Sequence, residues 1–211
     1  MILTELAGQS PAPCKLLISR RQYRTCHIHV PDLEQHLSAI QTGQDFYSFY
    51  KVFADEQKLI HLMCKLGNRG DRMALTRSPK GYTLWVWEPD AEPLTMKSSN
   101  SFLDVPVYSK ILPLQAEYFP CMVDVPRLNR QFLALSVDDH FYRFFKLENS
   151  FDGVLNVAGR LSRQGSETMI VTARGVLDKV AQYLDPSVLQ TVQGGYVICL
   201  REDGARAVMP N

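Results

Sequence analysis

The sequence predicts an α+β protein built by tandem duplication of one mainly antiparallel β-α-β-β-β-β module, with the copies pseudo-two-fold related. Residues 15–53 match residues 110–148 without gaps, with 12 identities in 39 pairs. Unrelated segments of ordinary composition share fewer. Most other pairs are alike in kind, such as Ile28 with Val123. A fixed-offset match of this length indicates one supersecondary unit that occurs twice.

The repeat divides the chain into three parts. The first α+β module is predicted over residues 15–90 and the second over 110–211. Between them, residues 91–109 form a connector, because their sequence begins AEPLTMKSSNS, which is polar and rich in turn-forming residues.

The second module is predicted to carry an inserted helix. Gly81 and Tyr82 recur as Gly195 and Tyr196, at an offset of 114 instead of 95. The intervening RGVLDKVAQYLDPSVLQTV has apolar residues at helical spacing, which predicts a helix over 174–193.

Each copy is predicted to start with an extended segment. In the first copy it contains a bulge or tight turn near Arg20–Gln22. Pro31 and Pro126 then start a short helix, at a position where the missing N–H costs nothing. One apolar stripe supports that helix in each copy: Leu33, Leu37 and Ile40, and Leu128, Phe132 and Leu135.

Four antiparallel strands are predicted to follow the helix. In the first copy they are DFYSFYKVF, KLIHLMCKL, MALTRS and GYTLWVWE; in the second they are HFYRFFKLE, GVLNVAGRL, TMIVTA and GYVICLRE. Strand alternation puts Tyr47, Phe49 and Lys51 on one face, and the second copy repeats these residue types at 142, 144 and 146. We expect such a strand to be central, covered by a helix and by the other module.

Several residues are candidates for partner binding. Matched cations on aromatic faces suit an anion or acidic partner, although a packed face whose lysines reach water is the interpretation that the sequence favours. Tryptophans in the first copy alone indicate a groove or a protein interface. The predicted partner-binding residues are Tyr47, Lys51, Lys65, Trp85, Trp87, Tyr142, Arg143, Lys146 and Arg160.

Composition limits the class of protein. Twenty-three basic and 22 acidic residues leave a formal charge of +1, so no global field attracts polyanions. Five cysteines without CxxC spacing suit reduced thiols, and no apolar run reaches membrane-spanning length. We therefore expect a cytoplasmic protein with no membrane contact. Composition does not determine its oligomeric state.

Motifs for metal or cofactor chemistry are missing from the sequence. It has no Walker loop, GxGxxG or HExxH. His27 and His29 share a strand face that His61 can approach, but no fourth ligand follows from the spacing. We expect neither metal nor cofactor.

Three functions remain as hypotheses. The first is a non-catalytic binding or scaffold protein that holds a protein partner in the groove between the modules. The second is single-stranded nucleic-acid (RNA) binding through basic and aromatic strand faces, since Arg127, Arg130 and Arg143 lie among aromatic residues. The third is an enzyme with a site in the groove near His61, Lys65 and His140.

Overall fold

One mainly antiparallel sheet with three helices forms the described part of the protein. A computed structural model describes residues 12–94, 109–111, 117–183 and 194–208. Fourteen strands lie in that sheet. The predicted α+β class is therefore confirmed.

The first half contributes seven strands and one helix. They are β1 (Ala12–Leu17), β2 (Arg24–His29), β3 (Leu37–Thr42), β4 (Asp45–Phe53), α1 (Glu56–Gly67), β5 (Met73–Ser78), β6 (Gly81–Trp87) and β7 (Glu92–Pro93). The turn predicted near Arg20–Gln22 is confirmed as a 3-10 turn, and Ser19 caps it.

The second half contributes seven strands and two helices. They are β8 (Ser109–Ile111), β9 (Phe119–Val125), β10 (Arg130–Val137), β11 (His140–Glu148), α2 (Phe151–Arg163), β12 (Thr168–Thr172), α3 (Ala173–Val180), β13 (Tyr196–Arg201) and β14 (Arg206–Ala207). Within the predicted 174–193 helix, α3 is followed by a 3-10 turn at Ala181–Tyr183, and residues 184–193 lie outside the described residues.

The halves meet edge to edge through an antiparallel β1–β8 pair. Outward from that pair, the strand order is β5, β6, β4, β3, β2, β7 on one side and β12, β13, β11, β10, β9, β14 on the other. Two pairings are parallel, β1 with β5 and β8 with β12. The modules therefore share one sheet instead of packing face against face.

The predicted position of the helix in each module is wrong. Both helices follow the fourth strand, so the order of each half begins β-β-β-β-α-β. Leu37 and Ile40 of the first stripe lie on strand β3, and Leu33 precedes that strand. Phe132 and Leu135 of the second stripe lie on β10, and Leu128 ends the 3-10 turn at Pro126–Leu128. Short apolar runs fit both the helical period of about 3.6 residues and the strand period of about 2 residues. Both faces of these strands are partly buried, so apolar and polar residues do not alternate clearly along them.

The segments predicted as strands KLIHLMCKL and GVLNVAGRL are helices α1 and α2. Asp55 caps α1 by accepting the Gln57 and Lys58 N–H groups, and Ser150 caps α2 by accepting from Gly153. These caps satisfy N–H groups that the first helical turn cannot pair. The helix signal was the cap residue, which the apparent alternation of the apolar residues outweighed.

Helices α1 and α2 cover the centre of one side of the sheet, which we call the helical face. Their apolar residues join strands of both halves in one core. The first turn of each helix also reaches the other half: Tyr82 on β6 donates to Asp152 at 3.0 Å, and Gln57 donates to the Tyr196 hydroxyl at 3.2 Å. The two halves therefore share their largest core.

The opposite face is covered differently in the two halves. In the second half α3 packs there through Val176 and Val180 against Cys199 and Tyr118. In the first half the corresponding apolar cluster on this face contains Trp85, together with Leu17 and Tyr23. Bulky aromatic side chains thus take the place of a helix.

A β-bulge interrupts the fourth strand of each half. The register shifts between Phe49 and Lys51 on β4, and between Phe144 and Lys146 on β11. An extra residue in a strand reverses the side to which later residues point. The predicted Tyr-Phe-Lys face is therefore wrong, because each lysine lies on the helical face while its tyrosine and phenylalanine lie on the opposite face.

Candidate functional site

A half-buried polar cluster lies on the opposite face of each half. In the first half, Lys15 Nζ lies 2.7 Å from Asp45 Oδ2, and Arg72 lies 3.5 Å from the same oxygen. Arg72 also stacks 4.2 Å from the ring centroid of Trp87. Burial opposes ionisation of Asp45, but Lys15 and Arg72 hold its pKa below the ordinary value.

The second half has a corresponding cluster with a different acid. Tyr142 donates to Glu167 at 2.6 Å, and Lys110 lies 2.9 Å from that carboxylate. Arg201 completes the cluster at 3.2 Å from Glu167. Burial raises the pKa of Tyr142, and its hydrogen bond to Glu167 adds to the rise. The phenol therefore stays protonated at neutral pH and serves as a hydrogen-bond donor within the sheet.

A third cluster faces outward on the helical face of the second half. Glu202 has a side-chain exposure of 0%, while Arg127, in the β9–β10 turn, is 61% exposed. Arg127 donates through Nε at 3.1 Å and through Nη2 at 2.9 and 2.7 Å to the two Glu202 oxygens. Arg143 on β11 donates its Nε–H to the same carboxylate. One buried acid therefore holds two guanidinium groups.

Phenylalanine rings surround these arginines. The Arg143 guanidinium lies 5.1 Å from the Phe132 centroid and 5.6 Å from the Phe145 centroid. Arg130 also lies 5.5 Å from Phe132. Phe145 is 41% exposed. We call Arg127, Arg130, Phe132, Arg143 and Phe145 the arginine–phenylalanine surface.

Positive charge is concentrated on this side of the second half. Arg127 and Arg143 bond Glu202, and Arg130 lies beside Phe132, so three arginines and one glutamate give the cluster a net charge of +2. Helix α2 lies on the same face and ends in Arg160 and Arg163. Strand β12 starts after that helix end and pairs Thr168 with Leu200, the residue opposite Arg143. The register of β9 places Phe119, 70% exposed, on this face as well.

The predicted partner-binding residues are distributed over several surfaces. Tyr47 and Tyr142 are buried on the opposite face, where Trp85 and Trp87 also lie. Trp85 is buried and donates to Thr76 at 2.9 Å. Of the nine residues, Arg143 alone belongs to the arginine–phenylalanine surface.

Four of the cations predicted to bind a partner lie on four different elements. Lys51 and Lys146 follow the bulges and are exposed, and Lys146 pairs with Glu148 at 2.6 Å. Lys65 and Arg160 lie on the solvent sides of α1 and α2 instead of on strands. The predicted placement of Lys65 and Arg160 on strand faces is therefore wrong, whereas Lys51 and Lys146 lie on strands β4 and β11.

The histidines singled out from the sequence also occupy separate elements. His61 lies on the solvent side of α1, whereas His27 and His29 lie on β2. His140 follows the β10–β11 turn, with Nδ1 2.6 Å from the Asp138 carbonyl oxygen. Among the described residues no group of three or more histidine, cysteine or acidic side chains is placed to hold a metal.

Glu202 and Phe145 are the residues that the sequence analysis missed. Glu202 corresponds to Glu88 at the 114-residue offset, and Phe145 is the extra residue of its bulge. A signal existed: Arg143 replaces Ser48 at the 95-residue offset, in a strand whose neighbouring residues are identical in the two halves.

Comparison with known proteins gives no relative for this chain. It matches no protein-family model, no curated protein and no solved structure. In the part of the chain that the structure describes, no helix combines the length and apolar character needed to cross a membrane.

Proposed function

We propose that this protein is a non-catalytic binding protein that takes single-stranded nucleic acid on its arginine–phenylalanine surface. The observation that carries the proposal is the geometry of Arg143, whose guanidinium lies beside two phenylalanine rings on an outward-facing sheet. Proteins bind single strands by combining cations that track the phosphates with flat side chains on which bases stack.

The charge balance of the surface favours a polyanion. Glu202 is buried and Arg143 mostly so, and the exposed groups of the surface are therefore Arg127, Arg130 and Phe145. The net charge of the whole chain, +1, would give little attraction on its own. Local concentration of arginine supplies the attraction, which predicts steep salt dependence and modest affinity.

The direct test is binding of a labelled single-stranded RNA oligonucleotide, measured by fluorescence anisotropy at low and moderate salt. We expect the affinity to fall steeply with salt, and Arg130→Ala to weaken it several-fold and lower the salt slope by about one. Lys65→Ala is the matched control, because Lys65 is an exposed cation on the helical face of the first half. No binding at low salt, or equal losses for both variants, contradicts the proposal.

A protein partner is the second candidate function, and Phe49 supports it. This residue is 47% exposed although its ring packs edge-on to Trp85, with centroids 5.6 Å apart. Exposed aromatic side chains are typical of protein interfaces. A photo-crosslinking residue at 49 should then yield a specific adduct that the same residue at 144, beside α3, does not.

We further propose that the two halves arose by tandem duplication and are related by a pseudo-two-fold axis at the β1–β8 pair. The mirrored strand order and the bulges between Phe49/Lys51 and Phe144/Lys146 support this. Superposition of residues 15–90 on 110–208 over the described strands tests it, and a fit confined to isolated strands would argue against it.

A cytoplasmic location is proposed on the cysteines. All five are free, and burial raises the pKa of the Cys64 thiol to about 11. Thiols of this kind are typical of reducing compartments. Fractionation of cells that express a tagged chain tests the location.

A further inference from the structure

We propose that Glu202 is a positioning residue for phosphate recognition: it holds Arg127 in a fixed geometry toward the phosphodiester backbone of the ligand and fixes Arg143 beside the phenylalanine rings. This inference rests on the nucleic-acid function proposed above. It assigns the phosphate contact to the preorganised Arg127 and leaves the bases to Phe132 and Phe145.

The hydrogen-bond geometry shows which donors remain for a ligand. Arg127 uses Nε and Nη2 toward Glu202. Its Nη1 group has no partner among the residues that the structure describes, and the side chain is largely exposed. A guanidinium held on one edge by a carboxylate presents its other N–H groups in a fixed plane, so less rotational freedom is lost when a phosphate binds.

Arg143 is held by different contacts. It donates Nε–H to Glu202, and Phe132 and Phe145 lie beside its guanidinium plane. Its side chain is mostly buried, so it fixes the rings and the local charge instead of extending to solvent. Because Glu202 bonds both arginines, displacement of this carboxylate alters the whole surface.

The first half shows what the same glutamate does without arginines. Glu88 corresponds to Glu202 at the 114-residue offset and accepts a hydrogen bond from Ser48 at 2.6 Å. Asp32 and Ser48 stand where the second half has Arg127 and Arg143. The sheet therefore accommodates a glutamate at this position without neighbouring arginines. The two arginines are present in the second half and not at the corresponding positions of the first.

A charge-preserving variant separates positioning from simple electrostatics. Glu202→Asp keeps the negative charge but shortens the side chain by one methylene, so the carboxylate cannot hold both guanidinium groups as before. We expect about a five- to tenfold loss of affinity for single-stranded RNA with an unchanged salt slope. Glu88→Asp is the matched control and should bind as the wild type does.

Arg127→Lys provides a second route that leaves Glu202 intact. Lysine retains the charge but lacks the planar fork, so the same loss with the same salt slope is expected. Melting temperatures of all variants identify any that unfold. Wild-type affinity for both Glu202→Asp and Arg127→Lys overturns the positioning role while leaving the proposed function in place.

Failure of the function has a different signature. Wild-type protein that binds no single-stranded RNA at low salt, but binds a poly-glutamate peptide, would assign the surface to an acidic protein and overturn both proposals. Weaker RNA binding by Glu88→Asp and Glu202→Asp alike would show a general structural effect and overturn the positioning role alone.

Discussion

The two halves of the sheet share their framework and differ in what they present to solvent. Both have a bulge in the fourth strand, a lysine near the central strand pair and a glutamate after the last long strand. On the helical face, Gln35, Leu37 and Ser48 of the first half correspond to arginine, phenylalanine and arginine in the second. Only the second half therefore has the arginine–phenylalanine surface.

The opposite face also differs between the halves, but there the first half has the large aromatic residues. Trp85 and Trp87 of the first half correspond to Cys199 and Arg201, and the second half covers Cys199 with α3. The matched tyrosines also differ in their contacts: Tyr118 donates to the Gly175 carbonyl of α3, whereas Tyr23 lies beside Arg20, 5.2 Å from ring centroid to guanidinium. Shared positions maintain the sheet, and differing positions are where we expect specific function.

The largest expected effect tests how each half covers its opposite face. Trp85→Ala should lower the free energy of unfolding by about 3 to 5 kcal/mol, because it leaves a cavity and an unpaired Thr76 hydroxyl. Cys199→Ala should cost only about 1 kcal/mol, since α3 still covers the site. Urea denaturation measures both, and equal losses would contradict the claim that tryptophan replaces a helix.

Exchange of surface residues between the halves has the next largest effect. Arg130→Gln with Arg143→Ser gives the second half the residues of the first and leaves Arg127 paired with Glu202. We expect affinity for single-stranded RNA to fall about 30- to 100-fold, or about 2 to 3 kcal/mol, because two cations are lost. Gln35→Ala in the first half should leave the anisotropy titration unchanged. A double variant that binds as tightly as wild type would place the site elsewhere.

The lowered pKa values of two carboxyl groups predict how the stability of the fold depends on pH. Tyr142 and Lys110 hold the pKa of Glu167 below its ordinary value of 4.5, although burial works against them. Because the folded pKa is the lower one, the stabilisation is complete above the unfolded pKa and is lost as pH falls through the folded value.

Glu167→Gln should therefore cost about 1 to 2 kcal/mol at pH 7 and flatten the acid limb of unfolding free energy against pH. Asp45→Asn should act in the same direction in the first half, since its pKa is also lowered. An acid limb unchanged by either substitution would show that other carboxylates dominate.

The smallest effects concern the hydrogen bonds that cross between the halves. Tyr82→Phe removes the bond to Asp152, and Tyr196→Phe removes the bond from Gln57. Each should cost about 1 kcal/mol, because Asp152 keeps its ion pair with Arg77 and Gln57 is exposed. Unfolding should stay a single transition in both variants, and separate transitions for the halves would contradict the shared core.

The fold class could be predicted from the sequence, whereas the order of the elements could not. The α+β class followed from the repeat and its alternating apolar residues. The order of elements did not, because apolar pairs such as Leu59 and Ile60 fit a strand until Asp55 is read as a cap. Arg143 was identified because it is a basic residue among aromatic residues, whereas Glu202 was missed because no local pattern marks a buried acid.

The sequence by itself indicated the α+β class, the near-neutral charge and the lack of CxxC spacing among the cysteines, because these depend on residue types and spacing. The tertiary structure decided which residues meet. Bulges turned Lys51 and Lys146 away from their tyrosines, and strand pairing brought Glu202 to Arg127 across 75 residues of chain. Register and long-range pairing are set by the whole sheet, and a one-residue shift moves every later side chain to the other face.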